Sequence, residues 1–266
     1  MVRIVRVAFV EWPESLSPNH PQWKDLKSSI TAAHPDILVT NELPFGPWIA
    51  EGAEFSEEDA RLSVSAHEEG LQALIDFDLP AVISSRPVWA GKRLANEAFV
   101  LENRIVRPLH RKQYFPNEPG WFESEWYAGD DSGFDVEEVL GMNIGVLLCT
   151  DAMFNERARA YGRQKASLIV IPRASGMDLE SWKIAGAMAS LVSGAYVVSS
   201  NRVGRGKGGT RFGGGGYAYA PGGRLLAVTD PTHSVQIVEL DPATAVSAQR
   251  EYPCYVPELN EGRNIV

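Results

Sequence analysis

The apolar residues of this chain come in short unbroken runs, and these runs constrain the fold more than any other feature. Residues 36–40 (DILVT), 143–148 (NIGVLL), 167–171 (SLIVI) and 196–200 (YVVSS) lack the in–out alternation of a sheet with one wet face. Both faces of such strands must be covered, as in a sheet flanked by helices. Segments of helical character stand between them. Residues 22–33, 155–165 and 179–192 read as helices, and 57–77 carries Leu62, Ala66, Leu71, Leu74 and Ile75 at helical spacing. Asn155 is placed to cap the first turn of its helix. Further strands are expected at 2–10, 81–85, 217–219, 225–229 and 235–240, with a hairpin of 95–101 and 105–108 around ENR. The alternation runs from end to end without a linker and without a repeat at solenoid spacing. The expectation is one α/β domain over residues 1–266, with a mixed sheet system and helices outside. Residues 241–266, ending in REYPCYVPELNEGRNIV, are expected to form a C-terminal tail packing on the domain or on a partner subunit.

Composition narrows the function classes. A chain of 266 residues with 44% apolar and 22% charged content buries a substantial core. Its net charge of −9 argues against a nucleic-acid surface. The start, MVRIVRVAFVEWPE, lacks a continuous apolar h-region and a small-residue cleavage site, so it reads as a first strand. No window approaches the roughly 18 uninterrupted apolar residues of a membrane helix. Cys149 and Cys254 are the two cysteines, too few for a disulfide framework or a thiolate zinc site, which points to a cytoplasmic protein without metal.

Cys149 is oddly placed, where the strand 143–148 ends and a helix follows. A buried cysteine commonly fills a core. At the C-terminal edge of a strand, however, it lies where α/β proteins hold ligands, and a nearby helix N-terminus favours a thiolate. A nucleophilic thiol needs a base and an oxyanion partner. Among the five histidines, His34 falls at a helix end, His67 within a helix, and His20 and His233 in turns. Only His110, in PLHRKQYFP, stands among other functional residue types. Glu42, in DILVTNELPFGPW, follows a buried strand as Cys149 does, where partial desolvation raises a carboxylate toward the range of a useful base. Lys112 stands among aromatic residues and is suited to steady an oxyanion.

Together these positions resemble the nitrilase, or carbon–nitrogen hydrolase, superfamily, whose members use a Glu–Lys–Cys triad in that chain order. The resemblance rests on VTNELPFGPW around Glu42, HRKQYFP around Lys112 and GVLLCTD around Cys149. ASLIVIPRA, ESWKIAGAMAS, GAYVVSSNRVG and FGGGGYAYAPGGRLLA extend it over almost the whole chain. It implies a four-layer αββα sandwich, a homo-oligomer and no cofactor. It also implies cleavage of a small-molecule amide through a thioester: Glu42 as base, Cys149 as nucleophile, and Lys112 with the backbone N–H of Thr150 holding the oxyanion. A second glutamate supports the substrate in such enzymes. Glu123 in GWFESEWYAGD matches that segment best, with Glu118 as the alternative.

Substrate choice is less constrained. Phe45, Trp48 and Trp121, with Ala174 after the IVIPR strand, are candidate pocket residues, and Phe122 and Trp126 could add to an aromatic wall. Family members acting on N-carbamoyl amino acids tend to carry arginines just after the cysteine. This chain has TDAMF there, with Arg157 the nearest arginine. The leading expectation is a linear-amide amidase. A nitrilase, an N-carbamoyl amide hydrolase and a non-catalytic binding or assembly module are the alternatives. GRGKGG at 204–209 matches G-x-G-x-x-G, but no helix is expected after it, so a tight loop is the better reading than a dinucleotide site.

Overall fold

The computed structural model describes residues 3–130 and 133–258. Its first half contains β1 (Val5–Pro13), α1 (Pro21–Ala32), β2 (Ile37–Val39), α2 (Glu57–Ile75), β3 (Ala81–Ala90), β4 (Arg93–Glu102) and β5 (Ile105–Arg111). A single turn, α3 (Glu123–Trp126), leads into β6 (Glu137–Val139), β7 (Met142–Val146), α4 (Asn155–Arg163), β8 (Leu168–Arg173) and α5 (Leu179–Ser193). The chain closes with β9 (Tyr196–Arg205), β10 (Arg211–Gly213), β11 (Tyr217–Ala220), β12 (Arg224–Val228), β13 (Val235–Leu240) and α6 (Pro242–Ala248).

The strands form two sheets of the same design. One runs β13-β1-β2-β3-β4-β5 and the other β6-β7-β8-β9-β11-β12. Each has an antiparallel edge strand, three parallel strands and two antiparallel ones. β1 belongs to both: Val5–Val10 pair with β13, whereas Glu11, Trp12 and Pro13 pair with Asn201, Arg202 and Val203 of β9.

The inner faces meet through Val7, Phe9, Ile37, Val39 and Ile83 on one side and Ile144, Val146, Leu168, Val170 and Val198 on the other. The alternate residues Ala8, Val10, Leu38 and Val82 point outward under Trp23, Leu26 and Ile30 of α1 and Leu71 and Leu74 of α2. Leu147, Ile169, Ile171 and Val197 do the same under Ala158 and Tyr161 of α4 and Ala189 of α5. Each central strand is therefore buried on both faces, which is why its sequence is a continuous apolar run. The result is a four-layer αββα sandwich. Among the described residues no helix is long and apolar enough to cross a membrane.

One local expectation needs correction. Asn155 does not cap α4; Phe154 holds that place, and its N–H bonds back to Asp151 O at 3.1 Å. Phe154 is fixed there by stacking on Tyr114 at 3.6 Å, so Asn155 enters the helix as its first residue. The C-terminal segment opens with α6, capped by Asp241 and begun by Pro242. Its described part packs on the domain: Gln249 Nε2 donates to Ala166 O at 2.7 Å, and Arg159 donates to Val256 O at 2.6 Å. Residues 259–266 lie outside the described residues.

His67 on α2 ties the fold to the segment after Glu42. Its Nδ1 bonds Ser63 O at 2.7 Å, and its Nε2 accepts the Phe45 N–H at 3.3 Å. Burial lowers its pKa to about 4, so it is neutral near pH 7. An unfolded His67 takes its proton near the ordinary value of about 6.5. Between these two values the unfolded state binds more protons, so stability falls as pH falls through that window. Denaturant titrations from about pH 7 down to about pH 4 should reveal a His67-dependent loss of up to about 3 kcal/mol. His67→Gln should remove that part of the pH dependence; an unchanged slope in the variant contradicts the assignment.

Candidate active site

Four chain segments meet at one end of the sandwich, beyond the C-terminal ends of β2, β5, β7 and β8. Glu42 lies three residues past β2, and its N–H donates to Arg173 O at the end of β8, at 3.2 Å. The chain then turns sharply at Leu43, whose φ is +46° and whose N–H donates to Ser85 Oγ at 2.8 Å. Lys112 directly follows β5, anchored by its N–H on Asn96 O at 2.9 Å. Cys149 has φ +47° and opens a tight 3₁₀ turn, Cys149–Met153. A left-handed non-glycine residue costs about 1 kcal/mol or more. Both strand ends thus use a strained residue to swing the chain out of the sheet beside a functional side chain.

The side chains form one buried cluster. Glu42 Oε1 accepts from Lys112 Nζ at 2.8 Å and Asn96 Nδ2 at 2.7 Å, while Glu42 Oε2 accepts the Ala174 N–H at 3.1 Å. Lys112 Nζ also donates to Glu123 Oε2 at 2.5 Å. Lys112, Glu42 and Glu123 have no exposed surface, and Cys149 is 3% exposed. Burial alone would lower the Lys112 pKa, but the Glu123 and Glu42 carboxylates outweigh it and hold the ammonium well above its ordinary value. Burial pushes the Glu123 carboxyl up to about 8, against the pull of Lys112. Burial and the Glu42 charge push the Cys149 thiol well up, and Lys112 opposes them. The resting thiol is therefore protonated, and a thiolate forms only when a neighbour takes the proton.

Cys149, Thr150 and Glu123 line a cavity of about 390 Å³. Its walls include Pro116, Trp121, Met153, Ala174, Met177 and Trp182. Of the expected pocket residues, Trp121 and Ala174 are there; Phe45 and Trp48 are not. Phe45 is drawn into the core under α1 and α2, against Trp12 and Trp23, where a Cβ on Gly70 would lie 2.2 Å from its ring. Trp48 packs edge-on against Phe212, and its Nε1 donates to Gly120 O at 3.0 Å. Trp126 is likewise core, bonded to Gly52 O at 2.7 Å. Of the two candidate glutamates, Glu123 meets Lys112, and Glu118 stands exposed at the cavity rim. The Cys149 and Thr150 N–H groups precede the first one the turn itself satisfies, Asp151 N to Leu148 O at 3.0 Å.

His110 is not a base for Cys149. Its Nε2 pairs with Asp151 Oδ2 at 2.9 Å and its ring lies 4.5 Å from that of Phe134. Asp151 is a residue that sequence reasoning missed. Its carboxylate accepts N–H groups from Leu148 (3.1 Å), Gln113 (3.3 Å) and Tyr114 (3.1 Å), joining the cysteine turn to the lysine segment. Asn96 was also missed, although a polar pair inside the apolar run LANEAFVL was a signal for it. The glycine loop at 204–209 joins β9 to β10, and no helix follows it. The Glu51 carboxylate occupies it, accepting from Gly208 N and from Thr210 N at 2.9 Å. Among the described residues no group of three metal-binding side chains occurs.

The carbon-nitrogen hydrolase family model matches residues 2–250, and the chain belongs to that family. An (R)-stereoselective amidase from Pseudomonas sp is 25% identical over 83% of this chain and 78% of its own length. N-carbamoylputrescine amidase from Oryza sativa subsp. japonica is 32% identical over 50% of each chain. A crystal structure of a carbon-nitrogen hydrolase from Helicobacter pylori G27 shares the fold with a TM-score of 0.85, at 20% identity over 98% of this chain and 96% of that one.

Asp151→Ala would strip three N–H groups and His110 of their acceptor. Each unpaired buried donor costs about 1–3 kcal/mol, so urea denaturation should report a loss of about 3 kcal/mol or more. A loss below about 1 kcal/mol contradicts this role for Asp151.

Proposed function

We propose that this protein hydrolyses small linear amides to a carboxylic acid and ammonia through a thioester on Cys149. The observation that carries this reading is the buried Glu42–Lys112–Glu123 cluster beside a pocket-lining thiol. Glu42 takes the Cys149 proton as sulfur attacks the amide carbonyl carbon. The oxyanion is held by the Lys112 ammonium and the Thr150 N–H, donors each worth about 2.7–4 kcal/mol of barrier in comparable sites. Collapse of the tetrahedral adduct breaks the C–N bond, and protonated Glu42 gives its proton to the departing ammonia. Glu42 then activates water, which splits the thioester and restores the thiol. Glu123 holds Lys112 through Oε2, while its buried Oε1 has no partner and is free to accept a substrate N–H. The names of the relatives from Pseudomonas and Oryza, both amidases, support the reaction class.

The pocket favours an acyl group without a carboxylate. Its charged lining residues are Glu118, Glu123 and Asp178, with no lysine or arginine among them. Arg157, the nearest arginine after Cys149, donates to Tyr114 Oη at 2.7 Å and lies over the Phe134 ring. Trp121, Trp182, Met153 and Met177 offer an apolar wall instead.

Ammonia release from a panel of matched amides, nitriles and carbamoyl compounds tests the reading. Neutral amides should be hydrolysed about tenfold or more faster than partners of equal length ending in a carboxylate, a difference of about 1.4 kcal/mol. Cys149→Ala should reduce release to background. Faster turnover of the nitriles would favour a nitrilase, and no turnover by well-folded protein would leave a binding module.

A further inference from the structure

We infer that Arg173 is a positioning residue for this site: its buried guanidinium braces the wall at 173–175 against Glu42 and supplies the positive charge that offsets a thiolate at Cys149. The inference rests on the thioester reading above.

Arg173 is an unusual residue to bury. It has no exposed surface, yet its hydrogen-bond acceptors are all neutral: Ser199 Oγ at 2.7 Å, Ser175 Oγ at 2.9 Å and Gly215 O at 2.8 Å. The faces of Trp182 and Tyr217 lie 5.2 and 4.8 Å from the guanidinium carbon. Arg202 is buried to a similar degree but pairs with the Glu14 carboxylate. Among the described residues Arg173 has no such partner within ion-pair distance. A buried cation without a counter-ion is costly, and arginine does not escape the cost by losing its proton. Hydrogen bonds and ring contacts offset part of it. The remainder calls for a negative charge close by at some stage of the protein's work.

The surroundings of Arg173 identify that charge. Its own carbonyl accepts the Glu42 N–H, and the next N–H, of Ala174, donates to Glu42 Oε2. Ser175, gripped by its Nη1, and Trp182, under its face, both line the pocket with Cys149. The ionisable groups around the thiol are Glu42, Lys112 and Glu123, with Asp151 of the same turn paired to His110 and the Tyr217 ring against the Arg173 guanidinium. Consider the state in which Glu42 has taken the thiol proton and is neutral. The thiolate then shares the Lys112 ammonium with Glu123, whose Oε2 holds it. Arg173 adds a second positive charge on the pocket wall. Removing that charge would leave a thiolate less compensated in a water-poor region, which opposes its formation.

Thiol reactivity tests this without requiring turnover. In a Cys254→Ser background, the rate of Cys149 modification by methyl methanethiosulfonate is followed against pH by intact mass. Folding is checked by circular dichroism and thermal melting. The neutral variants Arg173→Met and Arg173→Gln should move the reactivity profile upward by about one pH unit or more, with about a tenfold loss of rate near neutral pH. Arg173→Gln keeps a hydrogen-bonding side chain, so it carries the test if Arg173→Met does not fold. Arg173→Lys keeps the charge and should restore most of the profile. A folded neutral variant with an unshifted profile overturns the inference, and so does a lysine variant shifted as far as the neutral ones. Shifted profiles in a protein that hydrolyses no amide would uphold the role of Arg173 and defeat the amidase reading instead.

Discussion

The ammonium of Lys112 sits between two carboxylates with no surface of its own exposed to water, and the geometry of the site depends on that contact. It fixes Glu42 Oε1 from one side and Glu123 Oε2 from the other. Removing either carboxylate leaves a buried charge poorly compensated, which is more damaging than losing a surface ion pair. Two further lone-pair sites of Glu42 are engaged, by Asn96 Nδ2 and the Ala174 N–H. A carboxylate held on both oxygens has one orientation, and a base with one orientation is prepared for proton transfer before a substrate arrives.

The fold supplies that precision through strand ends. β2, β5, β7 and β8 deliver Glu42, Lys112, Cys149 and Ala174 to a common edge, and the two-sheet core behind them is packed on both faces. Strained residues at Leu43 and Cys149 redirect the chain where a relaxed turn would carry it elsewhere. Asp151 then ties the cysteine turn to the lysine segment through three backbone N–H groups. Positions far apart in sequence are thus held by hydrogen bonds to backbone, which are less mobile than contacts between long side chains.

Much of this was legible in the sequence. Unbroken apolar runs such as SLIVI meant strands covered on both faces and helices outside a mixed sheet, and the family resemblance implied the four-layer sandwich. Glu42 and Cys149 stood out as reactive side chains at strand ends and Lys112 as a lysine among aromatic residues, and the family resemblance joined the three. The resemblance to the family segment favoured Glu123 over Glu118, and Glu123 is the one that meets Lys112. Other features depend on tertiary direction, which a linear string does not carry. Phe45 and Trp48 follow Glu42 closely, yet the left-handed turn at Leu43 and the His67 bond to the Phe45 N–H send them into cores. Asp151 and Arg173 were present in the quoted segments TDAMF and IVIPRA. Their importance lies in partners about 25 to 40 residues away, such as Ser199 and His110. The short helix α6 was missed although Asp241-Pro242 is a capping signal, because its seven residues have no long apolar stripe.

The central claim is that Cys149 forms a covalent acyl intermediate. Rapid acid quench of the protein mixed with a short neutral amide, followed by intact-mass and peptide analysis, measures it directly. The account predicts an added mass equal to the amide less ammonia, located on Cys149 and absent from Cys149→Ala. Turnover with no adduct on Cys149, or an adduct on another residue, would contradict it.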